Sequence, residues 1–118
     1  MSHVAKVDVK FTNNEAIQAA CKRMGAVYCG KGFVKFYDNT EVGGIVVSLP
    51  GWEYNIVIQP NGAIQYDNYE GQWGDSAVLD QFKQLYAIEA AKLAVEAQGY
   101  SYQEEVLPTG VLKLTVNI

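Results

Sequence analysis

Apolar and polar residues alternate strictly near the start of the chain. Ala5, Val7, Val9 and Phe11 fall on one side, and Lys6, Asp8 and Lys10 fall on the other. A period of two residues is typical of a half-buried strand, so the pattern predicts a β-strand over residues 4–11. Thr12 and Glu15 then match a capping box, in which a hydroxyl and a carboxylate satisfy the free amides at a helix start. Apolar residues at helical spacing predict a helix over residues 14–24, ending at Gly25.

The middle of the chain is rich in β-branched and aromatic residues that Gly, Pro or Asn separate into short runs. Such runs are typical of strands. They predict strands at residues 26–29, 33–37, 45–49, 54–59 and 63–66. Asn61-Gly62 predicts a tight hairpin between the last two strands, because both residues tolerate a positive φ.

Helical spacing returns after Asp75 or Ser76, either of which can cap a helix start, and it predicts a helix over residues 76–98 that stops at Gly99. The chain then predicts a hairpin from residues 102–107 and 111–117 around Pro108-Thr109-Gly110. This order indicates an α+β domain spanning residues 1–118: a single mainly antiparallel sheet with two helices packed on one face. For a compact domain of this size we expect a radius of gyration of roughly 13 to 14 Å.

Charge and hydropathy exclude several classes of partner. The net charge of −4 and the pI near 4.8 disfavour a nucleic-acid partner, which needs a basic face. The charge is asymmetric, since residues 1–35 hold six bases against two acids and residues 36–118 hold three bases against eleven acids. No run approaches the ~20 apolar residues of a membrane span, and no cationic leader precedes an apolar stretch, so we expect a cytoplasmic protein without a membrane partner.

The residues that usually carry chemistry are few. Cys21 and Cys29 lack metal-ligand spacing, and we expect both to be reduced, with Cys21 buried on a helix face. His3 is the only histidine and lies near a terminus, where an exposed or structural role is the simpler interpretation. We therefore predict no metal site, no cofactor and no catalytic residues, and a hydrolytic enzyme is the weakest of three functional hypotheses.

Two further patterns have a simple structural interpretation beside a functional one. The glycine-flanked Lys31 in residues 29–33 lacks the full phosphate-loop spacing, so a tight connection between strands with an exposed lysine is the simpler interpretation. Carboxylates occur close together at Glu104-Glu105 and at Asp67 with Glu70. Acid–base catalysis needs two unlike environments, which a sequence does not display, and these groups are interpreted as solvated charges.

Aromatic residues provide the strongest functional signal. The chain has eight tyrosines and two tryptophans, and several fall in residues 52–54 and 66–75. Tyr and Trp concentrate where proteins bind other molecules, although they also cap open sheet faces. The candidate ligand- or partner-binding residues are Lys31, Lys35, Trp52, Tyr54, Tyr69 and Trp73.

Two hypotheses follow from these residues. The first is a non-enzymatic binding or assembly module that engages a protein partner, or a second copy in a homo-oligomer, through an aromatic sheet face or the 66–75 loop. The alternative is sequestration of a small anionic metabolite or signalling nucleotide by Lys31, Lys35 and neighbouring aromatic rings.

The chain also resembles a known family over most of its length. The resemblance rests on Met1-Ser2-His3, Met24-Gly25, the hairpin from Tyr54 through Asn61-Gly62, the Trp73 region, Tyr86-Ala87, and Gln98-Gly99-Tyr100. These segments are similar to the hypothetical chloroplast reading frame thirty-five family of plastids, cyanobacteria and some phages. The resemblance implies a shared fold and a location in plastid stroma or infected host cytoplasm, and it makes a phage-type nucleotide sponge conceivable. Family members usually have a longer segment after the first helix and a basic, aromatic tail, whereas this sequence ends in Val116-Asn117-Ile118.

Overall fold

The structure is a computed structural model of the chain, and it describes residues 4–7, 10–67, 71–109 and 112–117, with side chains from residue 10 onward. The elements in chain order are β1 (Val4–Val7), α1 (Asn14–Met24), β2 (Val27–Lys35), β3 (Glu41–Ser48), β4 (Ile56–Ile58), β5 (Ile64–Asp67), α2 (Ser76–Ala97), β6 (Ser101–Val106) and β7 (Leu112–Asn117). Two helices and antiparallel strands confirm the predicted α+β class.

The strands form two separate sheets. The larger sheet is antiparallel, with strand order β1-β5-β4-β3-β2, and β6 and β7 form a two-stranded sheet of their own. The final hairpin packs on α2 instead of extending the main sheet. The radius of gyration is therefore 15.1 Å, larger than expected for one compact layer, and the principal extents are 49 × 30 × 23 Å.

Both helices cover one face of the main sheet, which we call the helix side. Phe11 belongs to the core on this side, with its ring centroid 4.5 Å from that of Tyr86 and 6.1 Å from that of Phe82, both in α2. The other buried residues of this core come from both helices, from strands β3–β5 and from the segments that follow β3: Ala16, Ile17, Ala20, Cys21, Val47, Leu49, Trp52, Ile56, Ile58, Ile64, Leu79 and Leu85. Cys21 is buried as predicted, and burial raises the pKa of its thiol to about 11.

The start of α1 differs from the predicted capping box. Asn13, one residue after Thr12, is the N-cap, and its side-chain oxygen accepts a hydrogen bond from the Ala16 amide at 3.1 Å. The Asn13 amide donates to the hydroxyl of buried Tyr86 at 3.1 Å. The first helix is thus positioned by the second one. Its end is as predicted, since Gly25 has a left-handed φ of 73°.

Strand β2 is continuous where two short strands were predicted. The register with β3 shifts between Tyr28 and Gly30, which is the mark of a β-bulge at Cys29. Gly30 takes a φ of 81°, a conformation that other residues adopt at a cost. The glycines of residues 29–33 therefore lie within a bulged strand, and the prediction of a connecting loop there was wrong.

An ion-pair network attaches the final hairpin to both helices. Glu104 of β6 accepts from Arg23 of α1 at 2.7 Å and pairs with Lys92 of α2. Glu89 of α2 pairs with the same two cations, each at 3.0 Å. The prediction that Glu104 is a solvated charge was wrong, whereas Glu105 makes only an exposed pair with Lys113 at 3.6 Å.

We expect acid to detach the hairpin before it unfolds the main sheet. Hydrogen bonds from Arg23 and then from Lys92 hold the pKa of Glu104 below its ordinary value of 4.5. A lowered pKa in the folded state stabilises the fold above the unfolded value, and that stabilisation is lost as pH falls through the folded value. Amide hydrogen exchange followed from neutral pH to below pH 4.5 measures this effect. Protection from exchange, corrected for the intrinsic pH dependence of the amides, should fall more in β6 and β7 than in β3 and β4.

Two variants that each remove one carboxylate charge test this prediction, one in the network and one outside it as the control. Glu104→Gln should speed exchange in the hairpin already at neutral pH and abolish most of its acid dependence. Glu105→Gln removes the same charge from an exposed pair and should leave hairpin exchange nearly unchanged. Equal responses of the two variants would contradict the role given to the network.

Candidate functional site

The two faces of the main sheet carry different side chains. The face opposite the helices holds a smaller apolar cluster of Val34, Phe36, Val42, Val46 and Val57, against which Tyr54 packs. The helices α1 and α2 cover only part of the helix side. The outer parts of β2 and β3 extend beyond the two helices. A groove forms there, where the start of α1 meets these two strands.

The groove encloses about 800 Å³ and is open to solvent on one side. Its size falls within the range of about 300–1,000 Å³ that is usual for small-molecule sites. Its lining is mostly apolar and comes from the entry to α1, from β2 and β3, and from the end of β4: Phe11, Thr12, Asn14, Ile17, Tyr28, Lys31, Gly32, Phe33, Gly43, Gly44, Ile45, Ile58, Gln59 and Pro60. The described lining contains no Asp, Glu, His or Cys.

Two adjacent glycines that line the groove let neighbouring groups pack closely on the backbone of β3. A Cβ atom at Gly43 would lie 2.7 Å from Cε1 of Phe33, its cross-strand partner, so the Phe33 ring lies directly over this glycine. A Cβ atom at Gly44 would overlap the carbonyl oxygen of Ile58. Although Phe33 packs over Gly43, 75% of its surface is exposed, which leaves a flat aromatic wall at the mouth of the groove.

Three polar features converge on this apolar groove. Lys31 is exposed at its edge and has no ion-pair partner among the described residues. The Tyr28 hydroxyl donates to Asn14 Oδ1 at 2.7 Å, which joins β2 to the first turn of α1 beside the groove. Gln59 also lines the groove, and its Oε1 is buried without a hydrogen bond from any described residue. An unsatisfied buried amide oxygen is costly to the fold.

A second surface of interest lies at the opposite face of the sheet. The ring of Trp73 lies 5.1 Å from that of Tyr37 and 5.3 Å from that of Tyr54, measured between centroids. Tyr37 is 67% exposed, and the other two rings are half-buried. We call these three residues the aromatic patch. It contains two of the predicted binding residues, Tyr54 and Trp73.

The remaining predicted site residues do not join that patch. Trp52 is only 9% exposed and belongs to the helix-side core, where its indole N–H donates to the Asp75 carbonyl at 3.2 Å, so its prediction as a surface ring was wrong. Lys31 lines the groove, whereas Lys35 is exposed further along β2 and does not line it. Tyr69 lies outside the described residues. The predicted single aromatic surface is therefore divided between a core residue and a smaller patch.

Several residues of the two surfaces were missed from the sequence. Tyr37 was assigned to a strand end, and the consecutive glycines at 43 and 44 were given no role, although paired glycines inside a β-rich run can mark a close backbone approach.

Asp67 was interpreted as a solvated charge with Glu70. Its side chain is in fact 3% exposed, and Glu70 lies outside the described residues.

Comparisons with known proteins do not assign the chain to a family. No family model, no curated protein and no solved structure matches it. The resemblance to the chloroplast reading frame family accordingly stays a prediction. Within the described ranges no three His, Cys, Asp or Glu side chains are placed to share a metal ion, and no helix combines the length and apolar character required for crossing a membrane.

Proposed function

We propose that the protein binds a small amphipathic anion in the groove between α1 and the β2–β3 hairpin. The observation that carries this proposal is the combination of a mostly apolar groove with a cation at its edge, Lys31, that pairs with no acidic group in the described part of the chain. Apolar walls favour the body of such a ligand, and the ammonium group favours its anionic end. This develops the sequence-based hypothesis of an anion site, with Lys31 retained and Lys35 left out.

The charge of the groove favours a monoanion such as a carboxylate over a nucleotide. Among the described lining residues Lys31 is the only charged one, so a di- or triphosphate would leave most of its charge uncompensated beside apolar side chains. A phosphate site also relies on several backbone amides or on Arg side chains. The lining instead provides the ring of Phe33 and the side chains of Ile17, Ile45 and Ile58.

Calorimetric titration with decanoate and with the uncharged 1-decanol tests the proposal. We expect both to bind, because each methylene removed from water contributes about 0.8 kcal/mol. Lys31→Ala should weaken decanoate binding about 5-fold, equivalent to about 1 kcal/mol for an exposed ion pair, and should leave decanol affinity nearly unchanged.

Lys35→Ala is the matched control, since it removes the same charge from the same strand outside the groove. This variant should keep the decanoate affinity of the unsubstituted protein. No binding of either ligand would contradict the proposal. A loss of decanoate affinity that was equal in the two lysine variants would mean that overall charge, and not the groove, sets the affinity.

A second candidate function is engagement of a protein partner, and the aromatic patch favours it. We propose that this surface, rather than the wider face first predicted, would make the contact. Tyr37 projects most of its ring into solvent beside two half-buried rings. Aromatic side chains with a polar tip are enriched where proteins meet.

A further inference from the structure

The aromatic patch lies in the part of the chain that has no basic residues. Residues 36–82 contain seven acidic residues and no Lys, Arg or His. This segment contributes all three rings of the patch. The formal charge of this segment is thus −7, whereas the net charge of the whole chain is −4.

Two of these carboxylates belong to residues next to rings of the patch in the chain. Asp38 follows Tyr37, and its Oδ1 accepts a hydrogen bond from the Thr40 amide at 2.9 Å, which holds this exposed carboxylate in the turn after β2. Glu53 precedes Tyr54, and its amide donates to the Trp73 carbonyl at 2.7 Å. The backbone contact of Glu53 fixes the segment that carries Tyr54 against the segment that carries Trp73.

We propose that the aromatic patch binds a basic polypeptide segment of a partner protein, with a Lys or Arg side chain over the exposed ring of Tyr37 and the carboxylates of Asp38 and Glu53 beside it. This inference rests on the second candidate function and specifies its partner. A cation within about 6 Å of an aromatic centroid is attracted by the negative face of the ring. Carboxylates nearby add long-range attraction and repel acidic partners, including the phosphates of nucleic acids.

Calorimetric titration with a short peptide that alternates Gly and Arg, and with the same peptide carrying Glu for Arg, tests the inference. We expect the Arg peptide to bind and the Glu peptide not to bind. Tyr37→Ala should weaken Arg-peptide binding about 2- to 30-fold, the range that corresponds to a single cation–π contact. Asp38→Asn should weaken the binding most at low salt, because exposed charges are screened as ionic strength rises.

Tyr100→Ala is the control for loss of a tyrosine ring, since Tyr100 is also exposed but follows α2 at a distance in the chain from the patch. It should bind the Arg peptide as the unsubstituted protein does. No binding of the Arg peptide, or an equal loss in both tyrosine variants, would overturn the inference. Binding of the Glu peptide, or a dimer that Tyr37→Ala dissociates in sedimentation, would retain the patch as an interaction surface but overturn its assignment to a basic segment.

Discussion

Replacement of Phe82 by alanine is expected to lower the free energy of unfolding by about 3–5 kcal/mol, as is usual for a large aromatic side chain lost from a core. Phe82 is fully buried in α2 and its ring stacks near that of Phe11, which connects β1 to α1. The cavity left there would remove contacts from the core that both helices share with the sheet. Chemical denaturation monitored by circular dichroism measures the loss.

Phe33→Ala provides the comparison, because it removes the same ring from a position that is 75% exposed. We expect it to change the free energy of unfolding by less than about 1 kcal/mol. If the two alanine variants had similar stabilities, the packing of both helices around Phe82 would be contradicted.

Replacement of Gly74 by alanine is the second large effect that we expect. A Cβ atom at Gly74 would overlap the indole of Trp52, whose Cε2 would lie 2.6 Å and Cε3 2.8 Å away. The indole is buried and its N–H is bonded to the Asp75 carbonyl, so the ring has little room to move. We expect a loss of about 2–3 kcal/mol, typical of overpacking a core, with a red shift of the Trp52 emission.

Gly32→Ala controls for the added methyl group and for the loss of a glycine. A Cβ atom there would meet Val46 Cγ2 at 3.5 Å, an ordinary van der Waals contact. This variant should unfold within about 1 kcal/mol of the parent protein. A Gly74→Ala protein as stable as Gly32→Ala would show that Trp52 does not pack closely on residue 74.

The elements with strong local signals were predicted well. The structure places α1 at Asn14–Met24 and α2 at Ser76–Ala97, close to the predicted bounds. These bounds could be predicted because helical spacing and a helix-ending glycine such as Gly25 are patterns that span only a few residues of sequence. The predicted hairpin at Asn61-Gly62 is confirmed, since these residues lie between the paired strands β4 and β5. Its sequence signal is equally local. The break predicted within β2 was wrong because Gly30 provides a bulge that the sequence alone does not distinguish from a loop.

The candidate sites depend on contacts between distant parts of the chain. Trp52 is buried because residue 74 has no side chain to displace it, a relation across 22 positions that no local pattern displays. The groove exists because the start of α1 meets strands β2 and β3. Lys31 could be identified from its glycine-flanked position, but the residues that make an apolar wall around it, such as Phe33 and Ile58, could not be grouped before the fold was known.

The most direct test of the proposed function is a nuclear magnetic resonance titration of the protein with decanoate. We expect the amide and methyl signals of groove residues to shift, above all those of Lys31, Ile45 and Ile58. The signals of Val46 and Val57 on the opposite face should change little. Shifts concentrated around the aromatic patch, or no saturable shifts at all, would contradict a ligand site in the groove.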